Sequence, residues 1–210
     1  MSVYLPPWFA AHDGDAIARL IRDYPFATLV TAASPEPQIS HLPLLLRHDT
    51  APHGALIGHV ARANPHWRLL PDRPSIAVFQ GPHAYVSPSW YTEPATMVPT
   101  WNYAVVHVHG SIELVEDRDA TLETLKALTE RFESGRPAPW HLQLQGARLD
   151  ATIGAIVAFR MTITRVDAKF KLSQNRGAVD RDRVIAGLLE EDHADAAATA
   201  QWMDRYARNA

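Results

Sequence analysis

The feature that most constrains this chain is a succession of β-rich runs separated by turns, with few helical stretches between them. Runs of apolar and β-branched residues are typical of strands, and Pro, Gly, Ser and Asp are typical of the turns that join them. Six runs in this order predict an antiparallel β-barrel, closed or partly closed, and the first two predict a hairpin. The six runs are Phe26–Ala32, Gln38–Arg47, Ala55–Ala61, Pro74–Gly81, Trp101–Asp117 and Ile153–Val166.

Three stretches have the 3.6-residue periodicity of helices. One lies near the N-terminus around Ala16–Ile21, a second is Asp119–Phe132, and a third is Arg183–Arg208, with a break expected near His193. We expect these helices to lie on the ends and sides of the barrel. The predicted fold class is therefore mainly β, a β-barrel with peripheral helices.

Composition limits both the domain organisation and the chemistry. With 210 residues, 47% hydrophobic and 20% charged, the chain is that of an ordinary globular protein. We expect a barrel domain over residues 1–180 and a C-terminal helical extension over residues 181–210. The absence of cysteine excludes disulfides, thiolate nucleophiles and cysteine-based metal sites.

Charge and hydropathy limit the partners. The net charge of −3 gives no general attraction to nucleic acid. No apolar run approaches the roughly 18 to 20 residues of a membrane span, and the N-terminus has no signal-peptide pattern. We therefore expect a cytoplasmic protein without membrane association.

The segment His59–Trp67 (HVARANPHW) joins the end of a strand to a short helical turn. Asn64 is predicted to cap that turn and Pro65 to occupy its first position, with free N–H groups pointing outward. Arg62 and His66 flank the turn, so backbone donors, a guanidinium and an imidazole are available to an anion such as phosphate. The alternative is a capped turn with a solvated arginine.

Aromatic residues cluster in the proline-punctuated segment Val78–Tyr91, which contains His83, Tyr85, Ser87 and Trp90. Flat aromatic faces on a backbone restrained by proline suit a planar ring system or a subunit contact. The alternative is that they cover an edge of the barrel.

Two further segments contain polar residues. His107 and His109 lie two apart on one strand face, but spacing supplies no third ligand, so a metal site is not favoured. The segment Lys169–Arg176 (KFKLSQNR) is predicted to be too polar for the core. It indicates either a phosphate or ring-edge contact or a solvated loop.

Six motifs in this order resemble the PaiB family of FMN-binding negative transcriptional regulators: VYLPPWF, HLPLLL, GHVARANPHW, VFQGPHAYVSPSWY, VPTWNYAVVHVHG and KFKLSQNR. The resemblance covers about residues 3–190. It implies an FMN-binding split β-barrel with six or more antiparallel strands, similar to the pyridoxamine-phosphate oxidase group. It also implies a homodimer with FMN at the subunit interface.

The resemblance implies that the third strand and the turn after it hold the flavin phosphate and ribityl chain. The strand around His41 would assist, and Trp101 and residues 171–175 would close the site from the partner subunit. The oxidases have an Arg-rich strand and an Arg-Lys pair at the phosphate, so the fewer cations here imply weaker phosphate binding. The cofactor-binding residues so implied are His41, His59, Val60, Ala61, Arg62, Asn64, His66, Tyr85, Ser87, Trp101, Lys171 and Gln174.

Three functions follow as expectations. The first is a flavin-sensing or metabolite-sensing homodimer that represses transcription, with a small-molecule effector. DNA contact is not supported by charge, because acidic residues lie between the arginines of the C-terminal helical region. The second is an FMN-dependent oxidoreductase, for which no catalytic residue is assigned. The third is a split barrel that binds haem or another tetrapyrrole.

Overall fold

The structure is a computed structural model of the chain, and it describes residues 3–48 and 53–206. The described residues form a seven-stranded sheet in which every pairing with a defined register is antiparallel. The strands are β1 (Phe26–Thr31), β2 (Gln38–Pro43), β3 (Leu45–Arg47), β4 (Ala55–Ala61), β5 (Ser75–Val86), β6 (Thr100–Val115) and β7 (Ile156–Lys171).

The order of strands in the sheet is β2-β1-β5-β6-β7-β4-β3. The predicted hairpin is confirmed, because β1 pairs with β2 from Phe26 opposite Pro43 to Thr31 opposite Gln38. Strands β2 and β3 are consecutive parts of one predicted run, yet they stand at opposite ends of the sheet order. The run pairs first with β1 and then with β4, as expected for a split barrel.

The division between β2 and β3 occurs at Leu44. Pro43 has no N–H to continue the ladder, and the Leu44 N–H donates to the Pro25 carbonyl oxygen at 2.9 Å. The Leu44 side chain is fully buried. Gly58 on β4 allows this packing, since a Cβ there would lie 2.5 Å from Leu44 Cδ2 and 3.2 Å from the Pro43 oxygen.

Five α-helices complete the described secondary structure, apart from four short 3₁₀ turns. Asp13 caps the first helix by accepting from the N–H groups of Asp15 and Ala16, and Asp117 caps the second by accepting from Ala120. The helices are α1 (Gly14–Asp23), α2 (Arg118–Glu133), α3 (Gly146–Gly154), α4 (Ala178–Glu190) and α5 (Ala194–Tyr206). The break predicted near His193 is confirmed, whereas Arg208 lies outside the described residues.

Several elements differ from their predicted extents. Helix α3 occupies a segment for which no helix was predicted, and it includes Ile153, which was predicted to begin a strand. Strand β5 continues past Gly81 because Pro82 stays in the extended strand rather than starting a loop. Strand β7 continues past Val166 to Lys171 because the polar residues there find partners described below.

The chain divides into two compact units. Unit A comprises Pro25–Val78 and Val108–Val166, and unit B comprises Met1–Tyr24, Phe79–His107 and Asp167–Ala210. Unit B contains α4 and α5, and Trp202 on α5 packs edge-on against Phe170, with ring centroids 5.4 Å apart. Among the described residues, no helix is both long enough and apolar enough to cross a bilayer.

Candidate functional site

The turn after β4 in unit A contains a closed set of polar contacts. Asn64 caps the 3₁₀ turn Pro65–Arg68, as predicted, with its Oδ1 accepting from the His66 N–H at 3.1 Å. Asn64 Nδ2 donates to Ser40 Oγ at 2.9 Å, and Ser40 Oγ lies 2.8 Å from His66 Nδ1. Ser40, Asn64 and His66 are hereafter called the turn network.

The turn network is compatible with a neutral His66 ring that accepts at Nδ1. Since Asn64 Oδ1 already accepts a backbone N–H, its amide nitrogen is the group that faces Ser40. Ser40 therefore accepts from Asn64, and its own hydrogen can go to His66 Nδ1, which would place the ring proton on Nε2. Burial lowers the pKa of His66, which favours the neutral ring. His66 is 0% exposed, and Nε2 has no hydrogen-bond partner among the described residues.

Arg62 connects the turn to the link between α3 and β7. Its Nε donates to the Gly154 carbonyl oxygen at 2.6 Å and its Nη2 to that of Ile156 at 2.8 Å. Its backbone N–H donates to the Ala155 oxygen at 2.8 Å. A guanidinium at the C-terminus of a helix satisfies carbonyl groups that have no partner in the helix. Two of the guanidinium nitrogens proposed for an anion are thus engaged within the chain.

The free N–H groups of the turn were expected to point outward to an anion. For the His66 N–H this prediction is wrong, because it donates to Asn64 Oδ1. Just before the turn, the N–H groups of Arg62 and Asn64 also have internal acceptors, the carbonyl oxygens of Ala155 and Ala61. The enclosed His66 Nε2 remains without an internal partner among the described residues.

Strand β4 carries the other residues implied beside this turn. His59 is half-buried, burial lowers its pKa, and its Nδ1 is a second ring nitrogen without a partner among the described residues. The Val60 side chain is buried, and Ala61 is exposed where the strand ends. His59 and His66 are therefore both neutral hydrogen-bonding groups rather than cations near neutral pH.

His41 does not join the turn network. It is exposed on β2, where its Nδ1 lies 3.1 Å from Thr28 Oγ1 and its ring stacks on Phe26 with centroids 6.4 Å apart. Because successive side chains of a strand point to opposite faces, Ser40 faces the turn and His41 does not. Ser40 was missed at the level of sequence. The signal was a serine at an inward position, since a buried hydroxyl requires a partner.

In unit B, Tyr85 and Trp101 form an exposed aromatic surface. They are 44% and 53% exposed, and their rings meet edge to face with centroids 6.1 Å apart. The ring of His83 lies 6.3 Å from Trp101. These side chains line a cavity of about 390 Å³ together with Glu191 and His193 from the link between α4 and α5 and Asp195 from the first turn of α5.

The other unit B residues implied at the site have internal contacts. Ser87 Oγ accepts from the Ser89 N–H at 3.2 Å and caps a short turn. Lys171 Nζ donates to Thr100 Oγ1 at 2.7 Å and to the Trp101 carbonyl oxygen at 2.6 Å. Gln174 accepts from the Leu172 N–H and donates to the Phe170 carbonyl oxygen, which holds the bend after β7.

Two other predictions concerned a metal site at His107 and His109 and the polarity of the segment Lys169–Arg176. Across residues 3–48 and 53–206, no three His, Cys, Asp or Glu side chains come together as metal ligands would. The ring of His109 lies 3.0 Å from Arg165 Nη2 instead. The prediction that KFKLSQNR is too polar for the core is wrong, because Lys169, Leu172 and Ser173 are buried.

The fold is shared with flavin-binding proteins of known structure. The FAD and heme binding protein from Mycobacterium smegmatis matches with a TM-score of 0.59 at 19% identity, covering 77% of this chain and 73% of that one. The flavocytochrome Anf3 from Azotobacter vinelandii matches with a TM-score of 0.61 at 16% identity, covering 78% and 69%. The predicted fold class is confirmed, and this is a split-barrel protein with peripheral helices.

The amino-acid sequence of the chain also matches a known family. A family described as "Putative FMN-binding domain" matches residues 3–165. The "Protease synthase and sporulation protein PAI 2" of Bacillus subtilis (strain 168) is 35% identical over 205 residues, covering 96% of this chain and 97% of that protein. An uncharacterized protein of Emericella nidulans is 31% identical, covering 89% and 90%. The chain belongs to this family, and its resemblance to PaiB proteins is confirmed.

Proposed function

We propose that the protein binds FMN through the turn after β4 and works as a flavin-responsive regulatory protein in a homodimer. The observation that carries the flavin site is the enclosed His66 Nε2, which has no hydrogen-bond partner among the described residues, in a chain of the FMN-binding family. Buried polar atoms nearly always have a partner, so we propose that Nε2 carries the ring proton and that its acceptor comes from outside the described residues. Oxygens of the flavin phosphate or ribityl chain are acceptors of the right kind.

The residues of the turn fit a flavin as hydrogen-bonding groups more than as charges. His66 Nε2–H donates, and the half-buried His59 ring nitrogen adds a second site for hydrogen bonding. Asn64 and Ser40 position His66, and Arg62 holds the turn against the α3 end. FMN, when bound, supplies reversible electron or hydride acceptance, while the protein supplies binding and orientation.

Regulation is proposed from kinship and surface properties. The B. subtilis relative is named for protease synthesis and sporulation. In unit B, Tyr4, Trp8 and Trp101 expose 82%, 71% and 53% of their surfaces, and exposed apolar groups of this size are typical of protein interfaces. They support the homodimer. Because the net charge is −3, we propose that regulation acts through a small-molecule effector and not through direct DNA contact.

An FMN-dependent oxidoreductase is the second candidate. The cavity at His83, Tyr85 and Trp101 favours it, because it combines an aromatic surface with titratable groups. Haem binding is the third candidate, because the M. smegmatis protein that shares the fold is named for binding both FAD and heme.

The visible spectrum of the purified protein, followed by anaerobic addition of NAD(P)H, separates these functions. A flavin spectrum that is bleached slowly or not at all supports the regulator. Rapid bleaching supports the oxidoreductase, and a Soret band supports haem. The absence of any flavin band after reconstitution with FMN would overturn the proposal.

Substitution of His66 tests the site itself. His66→Asn keeps a group near Ser40 but lacks the Nε2 donor, whereas His66→Gln places an amide N–H near that position. We expect His66→Asn to weaken FMN binding about tenfold, the effect of losing one buried hydrogen bond, and His66→Gln to weaken it less. Flavin fluorescence quenching measures both. Equal affinity in wild type and His66→Asn would exclude His66 from the site.

A further inference from the structure

Three cations lie together in unit B at the end of β7. Lys169 and Lys171 are on the strand, and Arg176 is in the loop that follows. We call them the lysine cluster. Lys169 and Lys171 are two residues apart on β7 and so lie on the same face of the strand. Burial, and then the positive charges of Lys169 and Arg176, lower the pKa of Lys171.

No carboxylate within the described residues forms a salt bridge with any member of the cluster. The carboxylate of Asp180 is directed elsewhere. It accepts from the Thr92 N–H and hydroxyl, both at 2.9 Å, and these bonds lower its pKa, with a smaller contribution from Arg176. Like charges held together cost free energy, and a bound anion would reduce that cost.

Aromatic rings surround the cluster. Lys169 is only 6% exposed, and its Nζ lies 5.3 Å from the ring centroids of both Tyr4 and Tyr103. Lys171 Nζ lies 5.9 Å from the ring of Phe9. Ring faces attract a cation but do not replace the oxygen acceptors that three ammonium N–H groups require. Lys171 Nζ already donates to Thr100 Oγ1 and to the Trp101 carbonyl oxygen, so one of its three N–H groups is left for an oxyanion, beside those of Lys169.

The loop between Lys171 and Arg176 is rigid. Ser173 has a φ of +65°, a left-handed conformation that is uncommon for a residue other than glycine. The buried Asn102 holds it there, with Nδ2 donating to Ser173 Oγ at 2.9 Å, and the Arg176 N–H donates to the Ser173 carbonyl oxygen at 3.0 Å. A strained and tied loop that presents cations is a preorganised binding feature.

Lysine is rare in this protein. It occurs at positions 126, 169 and 171 only, although lysine and arginine together number 20. Two of the three lysines thus belong to one cluster. An ammonium is a compact point charge that binds a single oxyanion, whereas arginine favours planar, bidentate contacts.

We propose that the lysine cluster binds the phosphate or carboxylate group of a small molecule. The oxyanion accepts from Lys169, Lys171 and Arg176 and neutralises their mutual repulsion. The cluster lies beyond the residues 3–165 that match the FMN-binding family, and the proposal does not depend on flavin binding at the turn after β4. The group has two sources, the phosphate of FMN or a separate anionic metabolite.

Acetylation of lysines, followed by mass spectrometry of peptides, tests the proposal on the wild-type protein. Inorganic phosphate is the probe, with sodium chloride at equal ionic strength as the reference. At about ten times the dissociation constant, phosphate should slow acetylation of Lys171 about tenfold. Lys126, exposed on α2 beside Glu123, should react at an unchanged rate. Protection of no lysine, or of all three equally, would overturn the proposal.

The variant Arg176→Gln removes one cation and leaves both lysines as reporters. It should weaken phosphate protection about tenfold, while the matched variant Arg183→Gln should not. Parallel arms with FMN and with riboflavin, which lacks phosphate, identify the source. Protection by FMN alone assigns the flavin phosphate. Protection by inorganic phosphate that persists in FMN-saturated protein assigns a separate molecule.

Discussion

The turn network in unit A and the lysine cluster in unit B both follow a strand and both contain basic residues, but they differ in how their polar groups are paired. In the turn, Arg62, Asn64 and Ser40 are engaged with backbone or side-chain partners inside the chain. In the cluster, Lys169 and Arg176 have ring contacts and no carboxylate partner in the described part of the chain. The first arrangement stabilises the fold, whereas we propose that the second holds positive charge for a ligand.

The largest expected effect is that of Asn64→Ala. It removes the cap of the turn and leaves Ser40 without its donor and the His66 N–H without its acceptor. We expect a loss of about 2–4 kcal/mol in the free energy of unfolding, since a cap contributes about 1 kcal/mol and a buried hydrogen bond about 1–3 kcal/mol. Urea unfolding measures it. Asn64→Asp keeps the cap and should lose less stability than Asn64→Ala. Equal losses in the two variants would show that the cap does not stabilise the turn.

The next effect is that of Ser40→Ala, which removes one acceptor and one donor from the turn network. We expect a loss of about 1–3 kcal/mol, because Asn64 Nδ2 and His66 Nδ1 remain buried. Ser111, exposed on β6, provides a matched control, and Ser111→Ala should leave the unfolding midpoint unchanged. A Ser40→Ala protein as stable as the control would show that the network does not hold the turn.

Stability should also depend on pH through the buried histidines. The folded-state pKa values of His59 and His66 lie below the unfolded value of about 6.5, so protonation favours the unfolded chain. The stabilisation is complete above about pH 6.5 and is lost as pH falls from there through the folded pKa values. Each histidine contributes at most about 1.4 kcal/mol per pH unit. Unfolding at pH 7.5 and 5.5 measures the slope, which should decrease in His66→Asn.

The smallest effect on stability is expected in the lysine cluster. Lys171→Met loses the hydrogen bonds to Thr100 and Trp101 but relieves the repulsion from Lys169 and Arg176. We expect the free energy of unfolding to change by no more than about 1 kcal/mol in either direction. Phosphate binding should be lost when the variant is titrated with inorganic phosphate. A loss as large as that of Asn64→Ala would mean that the cluster, like the turn, is structural.

Local signals allowed much of the fold to be predicted. Asn64 before Pro65 predicts the capped turn, and the break expected near His193 lies between the last two helices. Helix α3 was missed because it is short, begins and ends with glycine, and buries only Ile153 among its residues. The extension of β7 was missed because Lys169 and Lys171 are polar, and their packing against rings distant in sequence, Tyr4 and Phe9, is not visible along the chain.

By itself, the amino-acid sequence determined the antiparallel strands, the turn at Asn64, the helical C-terminal region and the resemblance to the FMN-binding family. These depend on residue spacing and short-range geometry, which are visible along the chain. Only the tertiary structure decided that Arg62 binds Gly154 at the end of α3, which is 92 residues away along the chain. It also decided that Ser40 rather than His41 faces His66. Hydrogen-bond partners and charge balance depend on which distant groups meet in space, and sequence order does not specify that.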